Sequence, residues 1–170
     1  LGRVDACRER LDRIPAILKR FRQSVLAAAT SGELTREWRE ARGMDTCNWT
    51  ETTVGRLVER IEAGLNVQCE ERPPESNERG LVKISAVTWG RYDDNESKTL
   101  PCTAEVPERS RVMLGDFLIS RANTLELVGA CVIVEQVTRP VYLSDKVLRL
   151  VMPEGLKRWI LIALQSPEGR

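Results

Sequence analysis

Residues 1–32, LGRVDACRERLDRIPAILKRFRQSVLAAATSG, carry the pattern on which the reading of the fold turns. Val4, Cys7, Leu11, Ile14, Leu18, Phe21, Val25 and Ala28 recur at alternating spacings of three and four, the a/d seam of a helix that pairs with another helix. The positions between them are largely Arg, Glu, Asp, Lys and Gln, so the apolar stripe is narrow. Ile17 and Leu26 widen it, which keeps open the alternative of a helix packed on its own domain. Pro15 stands inside the seam without shifting its register; a proline there removes one backbone hydrogen bond, and a kink is expected, not a stop. Thr30, Ser31 and Gly32 close the helix, with Gly32 at the C-terminal cap. Because the pattern is already running at the first residue, the native helix is expected to begin upstream.

Outward from the helix, Glu33 to Asn48 is polar and reads as a linker, placing a boundary near Arg42. The domains expected are 1–42, coiled-coil helix and linker, and 43–170, a compact domain whose last residues look like the middle of a fold. Val54 to Ala63 is expected as an amphipathic helix, with Leu57, Val58 and Ile61 inward and Gly64 as its stop. Beyond it the texture turns to strand: Leu81–Val87, Phe117–Ser120, Cys131–Val134 and Val147–Val151 are short apolar or alternating runs between turn formers. Asp93–Ser97 reads as a loop. Gly155–Gln165 reads as a helix with Leu156, Trp159, Ile160 and Ala163 inward, ended by Ser166-Pro167. The fold class is α+β: a long N-terminal coiled-coil helix, then a small mixed or antiparallel β domain with short helices.

Composition narrows the chemistry. The 170 residues contain no histidine, which removes Ser-His-Asp and Cys-His nucleophilic catalysis and every His-containing metal site. Five cysteines, never spaced C-x-x-C, signal neither a disulfide framework nor a zinc site; they are expected as reduced, mostly buried thiols. No apolar run reaches the roughly 18 to 20 residues of a membrane span, and a cytoplasmic protein is expected. Residues 1–42 hold ten Lys/Arg against six Asp/Glu, whereas 43–170 hold sixteen against nineteen. A surface for nucleic acid on the second part must be a local patch.

Two fragments resemble catalytic motifs and fail on their chemistry. Glu96-Ser97-Lys98 has the spacing of a metal-dependent nuclease, but Asp93 and Asp94 lie in the same loop and not on an upstream strand end. Arg72-Pro73-Pro74-Glu75 lacks the amide and the aromatic of an amino-methyltransferase loop, and there is no phosphate-binding glycine-rich loop. No cofactor is expected. The sharper signal is Gly115–Thr124, where a strand delivers Ser120, Arg121, Asn123 and Thr124 at its far end. Arg can bond guanine O6 and N7, and Asn adenine N6 and N7; the alternative is a polar strand end that caps neighbouring backbone. Lys83, Ser85, Thr88, Arg91, Lys98, Lys146 and Arg149 are candidate supports. Trp89 is read first as a core aromatic and second as a stacking platform.

The run Leu11 to Thr35, including the in-seam proline, resembles the central conserved region of type I restriction-modification specificity subunits. Leu81–Asn95, Gly115–Asn123 and Leu143–Leu150 resemble a target-recognition domain of the same family. The resemblance implies one spacer helix and one recognition domain of a subunit that carries two of each, each domain reading half of a bipartite DNA target. It implies methyltransferase and restriction subunits as partners and catalysis housed in them, not here. With no second spacer helix present, self-association through residues 4 to 28 is expected. The alternative is a coiled-coil interaction scaffold that does not bind DNA.

Overall fold

The computed structural model describes residues 2–44 and 49–169. Two compact units emerge: one holds the residues up to Thr50 together with those from Gln165 on, the other is Glu51–Leu164.

In the first unit, α1 (Gly2–Thr30) runs through Pro15 without interruption. Thr30 Oγ1 donates to the Leu26 and Ala27 carbonyls, and Gly32 takes the left-handed conformation at φ 81° that ends the helix. The expected linker is more ordered than its composition suggests. A 3-10 turn at Glu33–Thr35 leads into α2 (Arg36–Glu40), and Arg39 donates to the Gly32 carbonyl at 2.7 Å.

The second unit holds two small sheets. One is fully antiparallel in the order β1-β7-β4-β5, made of β1 (Arg60–Ala63), β4 (Phe117–Ser120), β5 (Cys131–Ile133) and β7 (Val147–Val151). The other joins β3 (Ser97–Thr99) antiparallel and β6 (Val141–Tyr142) parallel to β2 (Gly80–Val82). This is the expected α+β class. Successive side chains of a strand face opposite ways, so Phe117 enters a core with Leu150 and Ile160 while Leu118 enters another with Val87, Val132 and Val147. Burial on both faces is why the Phe117-Leu118-Ile119 run is continuously apolar.

Several local expectations are corrected. The expected helix 54–63 stops after one turn, α3 (Val54–Leu57), and the chain becomes β1 against β7. Val58 packs toward the core as expected, but Ile61 lies on an edge strand and is exposed. Gly64 is required for a different reason than a helix stop: a Cβ there would lie 1.8 Å from the Leu143 carbonyl oxygen. The expected strand 81–87 ends at Val82, and α4 (Ser85–Thr88) buries Ala86 and Val87. In α5 (Glu154–Gln165) Ile160 is buried, and Leu156, Leu161 and Leu164 pack beside it, while Trp159 points outward. Of the cysteines, Cys131 is buried, Cys69 is half-buried, and Cys7 and Cys102 are exposed; Cys47 lies outside the described residues.

Arg149 is the largest departure. Expected at a DNA surface, it is 8% exposed. Its guanidinium bonds Glu62 Oε2 at 2.8 Å, Asp116 Oδ2 at 2.7 Å and the carbonyls of Arg109 and Arg111. Removing one member of a buried ion network strands the others. Arg149→Ala is expected to cost about 3–5 kcal/mol, read from urea unfolding followed by circular dichroism; a loss below about 1 kcal/mol would show that the network is dispensable.

Candidate nucleic-acid interface

The antiparallel ladder carries β4 one step past its end, where the Arg121 amide donates to the Lys146 carbonyl at 3.0 Å. The chain then turns back on itself. Leu127 and Val128 amides donate to the Thr124 carbonyl, Gly129 adopts φ 79°, and its amide donates to the Ser120 carbonyl. Arg121, Asn123, Thr124 and Leu125 are left exposed on this loop, Leu125 at 93%. Ser120 does not join them: it is buried, with its Oγ on the Leu127 carbonyl. Asn123 Nδ2 donates to Thr88 Oγ1 at 3.4 Å, and Thr88 donates in turn to the Ile84 carbonyl. Trp89, next in the chain, is 75% exposed and no core residue.

A second group forms around a groove of about 460 Å³, lined in part by Lys83, Ser85, Lys98, Ser144 and Lys146. Lys83 and Ser85 follow β2, Lys98 lies in β3, and Lys146 lies in the turn before β7, so three chain segments converge. Ser85 Oγ donates to Glu96 Oε2 at 2.5 Å and Lys83 Nζ lies 3.3 Å from the same oxygen. The Ser85 hydroxyl, then Lys83, hold the Glu96 carboxyl below its ordinary range. Lys146 joins the two groups, its carbonyl on Arg121 and its side chain in the groove.

Two sequence candidates lie elsewhere. Arg91 lines a different groove, with Arg158 and Leu161 of α5, and Arg149 is interior. The sequence offers Ser144-Asp145-Lys146 as a polar set that could contact phosphate, and Glu96 only within a nuclease-like fragment; Glu71 was not anticipated, since only the sheet register, which sequence does not display, sets it beside Lys98. Leu125 carried no distinct signal, since Leu127 and Val128 follow it in the sequence. No three His, Cys, Asp or Glu side chains among the described residues group as metal ligands, and no described helix is long and apolar enough to cross a membrane.

On α1 the seam is laid bare. Val4, Cys7, Leu11, Ile14, Leu18, Phe21 and Val25 are exposed, Phe21 at 66%, and only Ala28 of the eight is half-buried.

No family model matches the chain. Against curated proteins, it is 32% identical over 174 residues to the type I restriction enzyme EcoKI specificity subunit of Escherichia coli K12, an alignment covering all of this chain and 36% of that protein. The chain belongs with the specificity subunits of type I restriction enzymes. It is 48% identical over 130 residues to the StySPI specificity subunit of Salmonella potsdam, covering 76% of this chain and 27% of that one. The EcoBI specificity subunit of Escherichia coli aligns at 25% over 176 residues, covering 94% and 36%. The chain thus spans about a third of the length of the specificity subunits aligned over nearly all of it. Both the α1 seam and the 121–129 loop fall inside the EcoKI alignment.

The groove's polar pairing has a direct readout. Ser85→Ala removes the largest influence on Glu96, and its carboxyl is expected to rise toward the ordinary value of 4.5 in an NMR titration of the Glu side chains. An unmoved midpoint would mean that the Ser85 hydroxyl does not bond the carboxylate in solution.

Proposed function

We propose that this segment reads DNA sequence for a type I restriction-modification system, contributing one half of a bipartite target and no catalytic step. The match to specificity subunits along the whole chain carries the reading. Its chemistry is supported by the loop of residues 121–129, which presents a guanidinium, a carboxamide and a hydroxyl just past the end of β4. Arg121 and Asn123 are assigned to base edges in the major groove. Thr124 and Thr88 support them, and Lys83, Ser85, Lys98 and Lys146 face phosphate. Arg91, exposed, is kept as a peripheral phosphate contact, while Arg149 leaves the set because its guanidinium is consumed internally.

The working complex is proposed to include methyltransferase and restriction subunits, in the cytoplasm, with methylation and cleavage supplied by them. Helix α1 acts as the spacer, its seam closing on a second helix. In the isolated chain that second helix is another copy, through Val4, Cys7, Leu11, Ile14, Leu18, Phe21, Val25 and Ala28. The bare seam also supports the rival reading, an interaction scaffold that does not bind DNA.

Fluorescence anisotropy of the chain mixed with the methyltransferase subunit encoded beside it, across salt, separates the two. DNA recognition gives a steep salt slope, since phosphate contacts release counterions. Arg121→Ala and Asn123→Ala are expected to lose about 1–3 kcal/mol of base discrimination each, whereas Lys98→Met weakens all sequences alike and lowers the salt slope by about one. Absence of salt-dependent binding leaves the scaffold.

Sedimentation velocity tests the seam. A dimer that strengthens with concentration is expected, and Phe21→Glu is expected to return it to monomer. A wild-type monomer across the whole series would overturn the homodimer.

A further inference from the structure

Every lysine of the groove has its own carboxylate. Lys83 pairs with Glu96, Lys146 Nζ lies 3.1 Å from Asp145 Oδ2, and Lys98 is ion-paired with Glu71. The three lysine side chains remain 36–50% exposed, so the pairs sit at the surface and not in the core. Ser144 is buried at the wall of the same groove, and its Oγ has no hydrogen-bond partner among the described residues. Three cations from separate segments form a donor set suited to a tetrahedral anion. At rest, the carboxylates cancel its field.

The geometry points to a self-masked phosphate site: Glu71, Glu96 and Asp145 hold the groove's lysines in ion pairs that a DNA phosphodiester must displace. This rests on the DNA-recognition reading above and adds a determinant of specificity to it. Ion pairs of this exposure are weak, so the exchange of carboxylate for phosphate is inexpensive. It is nonetheless unrepaid on a duplex where Arg121 and Asn123 find no matching base edges. Discrimination is a difference of affinities, and disfavouring the wrong complex widens it as effectively as strengthening the right one. The Ser85 hydroxyl, bound to Glu96, is freed in the same exchange. The acidic excess of residues 43–170 then has a role at the DNA face itself.

The test is anisotropy of the full chain on a random-sequence duplex of about 30 base pairs, from roughly 50 to 200 mM NaCl. Glu71→Gln with Glu96→Gln is expected to tighten non-specific binding about three- to tenfold. Glu51→Gln with Glu105→Gln, which removes the same charge from exposed residues outside the groove lining, is the control. The gain is expected to vanish when Lys83→Met and Lys98→Met are added, because the masked partner is then gone. Circular dichroism checks that each glutamine variant keeps its fold. An equal gain in the control, or a gain that survives loss of the lysines, overturns the masking. If wild type binds with a salt slope and E71Q/E96Q adds nothing, masking fails and DNA recognition stands. If no variant binds duplex at any salt, both fall.

Discussion

The buried guanidinium of Arg149 is the point through which the second unit is held in register. Its strand position places it opposite Glu62 on β1 and Leu118 on β4, so one side chain spans the centre of the four-stranded sheet. The carbonyls of Arg109 and Arg111 that it bonds belong to the segment whose Arg111 bridges to Tyr142 of β6, in the other sheet. Asp116, its second carboxylate, also accepts from the Met113 amide and thereby closes the turn that starts β4. Loss of this cation leaves the Asp116 carboxylate and the Arg109 and Arg111 carbonyls without their shared partner beneath the sheet, a larger penalty than the pairing itself repays.

The same constraint reaches the surface. Since Asp116 fixes where β4 begins and Val147 pairs with its last residue, Ser120, the residues that follow emerge at one defined place. Arg121 bonds the backbone of Lys146, and Lys146 opens onto the lysine groove. The loop of residues 121–129 and the lysine groove are therefore registered to one another by strand pairing, as the proposed readout of a duplex demands.

Much of this was legible in the sequence where a pattern runs long enough to be periodic. The α1 seam runs through eight positions, and the runs at Phe117–Ser120, Cys131–Ile133 and Val147–Val151 are largely apolar because both sheet faces are covered. What escaped is local and short. Val54 to Ala63 has helical spacing at Leu57, Val58 and Ile61, yet pairing with β7 overrides it after one turn, since tertiary context outweighs propensity over so few residues. Strands of two and three residues, β6 and β3, carry too little alternation to be seen. The role of Arg149 was invisible because an arginine in an alternating strand reads as a surface residue until its acids are located in space. For the interface, sequence named the cationic and amide groups and the Ser144-Asp145-Lys146 set, but not the pairing of Lys98 with Glu71 or of Lys83 with Glu96, whose proximity comes from the fold.

The loop from Arg121 to Gly129 closes on its own backbone, Thr124 accepting from Leu127 and Val128, and Gly129 returning to Ser120. Its outward side chains carry little of the stability of the strands beneath. Substitution at Arg121, Asn123, Thr124 or Leu125 is thus buffered from folding: this face of the protein can be rewritten a codon at a time without renegotiating the architecture that displays it.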